Sequence, residues 1–123
     1  MGMSMNTEDS ATFHHAQMLD LYEKIAGHAL AMEDAAASGD WERVMQLERQ
    51  CAILVMCLRQ HDTSVPLSVA QRERKVMLIT QILRSDAHVR SMAQPVMNAL
   101  HHQLADTRRG SRMHQAYGRV ARF

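Results

Sequence analysis

Proline and glycine are scarce in this sequence, with two and five residues respectively among 123, and aromatic residues make up only 4%. No segment alternates β-branched and polar residues, so nothing in the chain reads as a strand. Cysteine is rare as well. Cys51 and Cys57 stand six apart inside one apolar run and match neither a zinc-ligand nor a CxxC spacing, which excludes a disulfide framework and a metal site built on thiols. They read as buried thiols of a reducing compartment. Long apolar runs are missing too. The longest, Cys51 to Leu58, falls far short of the roughly 20 residues that cross a bilayer. The opening MGMSMNTEDS has no basic stretch leading into an apolar one, so no export signal is expected and the chain reads as cytoplasmic.

Catalytic motifs are equally absent. There is no GxSxG, no P-loop and no glycine-rich phosphate cradle, and neither cysteine has a base at a recognisable spacing. Eight histidines invite a metal reading. None, however, lies four residues from another, His14/His15 and His101/His102 are adjacent pairs that point to different sides of a helix, and no HExxH or Glu-x-x-His occurs. Solvent-exposed histidines are the better account. No cofactor is expected.

What is present is a helical pattern of a size for one domain, able to bury roughly two-thirds of the surface exposed when unfolded. A polar tail, 1–11, is expected to be disordered. Met18, Tyr22, Ile25, Ala29, Met32 and Ala36 then step by fours and threes, predicting a helix from about Thr12 to Ala37. Ser38-Gly39-Asp40-Trp41 supplies a turn, with Gly39 suited to the left-handed position and Asp40 to capping the next helix. A turn this short sends the second helix back antiparallel. Val44, Leu47, Cys51, Leu54 and Leu58 form its stripe, while Met45, Ala52, Val55 and Met56 make its second half apolar nearly all round. Such a helix is either buried or binds something.

The polar stretch His61 to Pro66 predicts a second connection, with a third helix beginning near Leu67 or Ser68. Ile79, Ile82, Asp86, Val89, Ala93, Val96 and Leu100 share a stripe on it, the pattern persists to about Arg108, and Pro95 removes one backbone donor and should kink it. Gly110 and Ser111 are expected to stop that helix and start a short one carrying Met113, Ala116, Tyr117 and Val120 on one side. The fold class expected is all-α: a small antiparallel bundle of three long helices and a short C-terminal one, a single domain over 12–118 with a flexible 119–123.

Charge is polarised along the chain. Residues 1–50 hold nine Asp/Glu against three Lys/Arg, and residues 84–123 hold seven Arg against two Asp. Such polarity steers a partner to one end or pairs helices with one another. The arginines lack aromatic interleaving and the whole chain carries only +1, so direct nucleic-acid binding is not expected. Asp86 is the one polar residue inside an apolar stripe, and Arg90 one turn on is placed to pair with it. Two readings stand, a carboxylate at the stripe's edge or a specificity contact in a groove. Eleven methionines serve either as core filler or as an adaptable binding surface.

Three segments together resemble the FliT-like flagellar export chaperones: Ser38-Gly39-Asp40-Trp41-Glu42, then Ile82-Leu83-Arg84-Ser85-Asp86-Ala87-His88-Val89-Arg90 with Pro95 soon after, then Ala116-Tyr117-Gly118. Their order and spacing carry the likeness from about Leu19 to Gly118. The resemblance implies a non-catalytic bundle that binds the filament-cap protein FliD before its export, with the export ATPase FliI, FliJ and the regulator FlhDC as further contacts; a homodimer is compatible with the sequence, which does not decide the oligomeric state. It also implies that the last short helix covers part of the partner groove, Tyr117 standing where the family's tyrosine does. On that basis Val89, Ala93, Val96, Met97, Leu100 and Leu104 are expected to line a groove between helices two and three, with Met113, Ala116, Tyr117 and Val120 as its removable cover. The basic ending and the histidines around His101 depart from the family pattern. Two alternatives remain: a regulatory adaptor acting mainly on a transcription factor, and a chorismate-mutase-type helical enzyme, for whose converging cationic pocket only Lys24 and Lys75 join the arginines.

Overall fold

A computed structural model of the chain describes the backbone of residues 7–61 and 66–121 and the side chains of 12–61 and 66–109. Among these residues there are three helices and no strand: α1 (Thr7–Ala37), α2 (Trp41–Arg59) and α3 (Val69–Ala121). The all-helical expectation is met. Helix α1 starts at Thr7, more than a turn before Thr12, because helical hydrogen bonding needs no apolar stripe to begin.

Local chemistry explains where each helix stops. Gly39 takes φ +77°, open to glycine without a Cβ penalty. Its N–H donates to the Ala36 carbonyl at 3.0 Å and that of Asp40 to the Ala35 carbonyl at 2.8 Å, the paired bonds of a Schellman ending. Asp40 then caps α2, its carboxylate accepting from the Arg43 N–H at 3.1 Å. Glu42 in the first turn and Arg59 in the last suit the helix dipole. At α3 a capping box forms: the Gln71 N–H donates to Ser68 Oγ at 3.1 Å, and the Ser68 N–H donates to Gln71 Oε1 at 2.9 Å.

The chain divides into two compact units, Met1–Val89 and Arg90–Phe123. In the first, α1 and α3 run the same way, since Glu23 binds Arg74 at 2.8 Å and, further along both helices, Glu33 meets His88 at 3.1 Å. Lys75 lies over the Tyr22 ring, 5.8 Å from its centroid. Helix α2 runs back between these directions, so the His14 ring near the start of α1 meets His61 just past the end of α2 at 5.9 Å. The core consists of Met18, Ile25, Ala29, Ala35 and Ala36 from α1, Val44 and Leu47 from α2, and Leu78 from α3. Leu47 and Leu78 are 1% and 2% exposed and anchor it. Tyr22 and Met32 are half-buried at its edge, so the α1 stripe faces where its spacing placed it.

The second unit is helical, and α3 is continuous through Pro95 and on to Ala121. The separate fourth helix expected after Gly110 is not seen. A glycine inside a helix costs about 1 kcal/mol relative to alanine, which discourages helix without forbidding it.

Candidate functional site

Helix α3 carries the residues expected to bind a partner. Every side chain from Gln94 to Arg109 is exposed, including Val96, Met97, Leu100 and Leu104 at 38%, 50%, 49% and 51%. Val89 belongs to the first unit and is half-buried, as is Ala93 in the second. In the second unit Ala93, Val96, Met97, Leu100 and Leu104 share one face of α3, and in the first unit Leu78, Ile82 and Ser85 share the face held against the bundle. Burying a large aliphatic side chain stabilises by roughly 1.5–3 kcal/mol, so this row left in water is a latent source of binding energy. Asp86 is half-buried, which places it at the edge of the packed face rather than in its centre. The expected cover residues Met113, Ala116, Tyr117 and Val120 lie outside the residues whose side chains are described, and their backbone continues α3.

Three further surfaces lie in the first unit, of which only the apolar side of α2 stands out in the sequence. The apolar side of α2 beyond its core stripe is turned to solvent: Met45 and Met56, one on each side of Ala52, are exposed, with Ile53 beside them. Of the methionines weighed as core or surface, Met32 and Met92 are half-buried, whereas Met45, Met56, Met77 and Met97 are exposed. On α3, Val69, Val76 and Leu83 stand seven apart and are all exposed, facing away from Leu78. Their seven-residue spacing is visible in the sequence, on the side of α3 opposite Leu78. Between α1 and α3 lies a cleft of about 500 Å³, lined by Ala26, Gly27, Leu30, Leu78, Gln81 and Ser85 and bounded by Glu23, Glu33, Arg74 and Arg84. A Cβ at Gly27 would meet nothing within 4 Å, so packing does not demand the glycine.

Titratable chemistry is sparse. Among the described residues no group of three His, Cys, Asp or Glu is arranged to hold a metal ion, and no helix is long and apolar enough to cross a membrane. Both cysteines are half-buried free thiols. Burial and, to a lesser degree, the nearby Glu48 carboxylate push the Cys51 thiol up, away from the reactive thiolate. His61 Nδ1 is buried without a hydrogen-bond partner among the described residues.

Comparison with known proteins places these features. Residues 16–119 match the model of a family described as flagellar protein FliT. Among solved structures, the crystal structure of flagellar protein FliT from Bordetella bronchiseptica superposes with a TM-score of 0.66 at 32% identity, over 70% of this chain and 97% of that one. No curated protein matches the chain.

Proposed function

We infer that this chain, which belongs to the FliT family of flagellar proteins, is a flagellar export chaperone that works by covering a partner's self-associating surface. The observation that carries the reading is the exposed apolar row of α3, Val96, Met97, Leu100 and Leu104. An amphipathic partner helix laid on such a row removes both apolar faces from water. The partner proposed is the filament-cap protein FliD, held in the cytoplasm before passage through the flagellar type III secretion apparatus. FliI, FliJ and FlhDC are proposed as secondary contacts. The reading assigns the chain no reaction and no cofactor.

Met113, Ala116, Tyr117 and Val120 are proposed as a cover for the same row. For them to reach it, α3 must open near Gly110, where glycine already weakens the helix. A cover of so few apolar residues gains little over the cost of ordering it and gives way to a longer partner helix. Affinity purification of the tagged chain from its own cells tests the assignment. The cap protein should be the main partner recovered, in an amount that falls with Leu100→Asp. Recovery of a transcription regulator without the cap protein would favour the adaptor reading instead.

A further inference from the structure

We propose that the segment captured on α3 is a helix with a heptad-spaced apolar row and an acidic edge that lies against Arg108. The inference rests on the α3 row being the partner site and adds the chemistry of what fits there. Ala93, Met97, Leu100 and Leu104 are separated by four, three and four residues, the alternation of a two-stranded coiled-coil seam. A seam of this period selects a second helix, because knobs from another helix fill the holes between its own.

The charges around the seam are one-sided. At about 100° per residue, Arg108 falls one turn beyond Leu104 on the edge of the row, whereas Asp106 and Arg109 are turned about 150° away from it. The opposite edge presents Val96 and Gln103, which carry no charge. His101 lies on the same edge as Arg108, and both side chains are exposed. Among the described residues of the second unit, a docked helix therefore meets only cations at the rim, Arg90 before the row as well as Arg108 beyond it. Opposite charge beside them favours binding, and like charge placed there opposes it. The occupant is thus an acidic amphipathic helix rather than a basic one.

The test uses the full-length chain and three synthetic helical peptides in fluorescence anisotropy titrations. Two share one leucine heptad row, flanked by glutamates in the first and lysines in the second; the third has the leucines scrambled. The glutamate peptide should bind about tenfold tighter than the lysine peptide at low salt, with the gap narrowing as salt rises. Arg108→Glu should invert that order, and Leu100→Asp should weaken both leucine peptides. Equal affinity of the two, or an order unmoved by Arg108→Glu, overturns the acidic edge while leaving the α3 site standing. Should Leu100→Asp leave peptide binding and capture of the cap-protein fragment unchanged in a chain that is still helical, the site reading itself is overturned.

Discussion

Leu47 and Met56 lie about two and a half turns apart on α2, on opposite faces, and show how little residue type alone decides. Leu47 is 1% exposed and Met56 is 62% exposed, although both belong to a segment rich in apolar residues. Leu47→Ala removes buried methylenes and leaves a cavity, so urea or thermal unfolding should show a loss of about 2–5 kcal/mol. Met56→Ala should shift the same curves by about 0.5 kcal/mol or less. The sequence named both as apolar, and spacing distinguished them: Leu47 falls on the stripe with Val44 and Cys51, and Met56 does not. What spacing did not reveal is that, among the described residues of the first unit, nothing covers Met45, Ile53 and Met56 of α2. Cys51 supplies a pH test at this scale. Because the fold favours its neutral thiol, any stability this group contributes is present below the titration of the unfolded thiol and lost as pH rises through the folded value. Alkylation at Cys51, followed by mass spectrometry, should be slower at neutral pH than that of an exposed thiol and should rise with pH as the thiolate fraction grows. Rapid labelling at pH 7 would contradict this assignment.

At the scale of elements, the helix ends were the most legible part of the fold. Ser38-Gly39-Asp40 specifies a stop and a start in three residues, since only a residue without Cβ takes φ +77° freely and the next side chain can accept from a first-turn amide. Gly39→Ala should cost about 1 kcal/mol or more through backbone strain, and Asp40→Ala about 1 kcal/mol through the lost cap. Thermal melts of the two variants check this. Gly110 misled for a related reason. The same residue type that ends α1 leaves α3 unbroken, because glycine permits a left-handed ending but does not compel one. Helix continuity there bears on regulation. Gly110→Ala favours the helical form by about 1 kcal/mol. If the last residues cover the α3 row by opening near Gly110, this substitution should raise affinity for the cap protein, as should deletion of residues 110–123. Weaker or unchanged binding in both variants, measured by calorimetry beside thermal melts, would reject the cover.

At the scale of the whole molecule, charge and apolar surface are distributed differently. The cross-helix pairs Arg74–Glu23 and His88–Glu33 tie α3 to acidic α1, but neither α3 partner is one of the seven arginines of residues 84–123. Arg74 and Glu23 are each nearly half exposed, so the pair sets alignment more than stability. Glu23→Gln should change the unfolding free energy by less than about 1 kcal/mol, with a difference that shrinks in added salt. Spacing alone puts Ile79, Ile82, Asp86, Val89, Ala93, Val96 and Leu100 in one periodic stripe of α3. Periodicity does not say where along a helix packing stops, and on this helix it gives way to an exposed row after Ala93. That row is the basis of the chaperone reading. Its most direct test is isothermal titration of the C-terminal region of the filament-cap protein into the full-length chain and its Leu100→Asp variant, with helicity confirmed by circular dichroism. The account predicts binding by the parent chain and at least a tenfold weaker interaction with the variant, since a carboxylate desolvated in an apolar contact is costly. Equal affinity for the two folded proteins would contradict it.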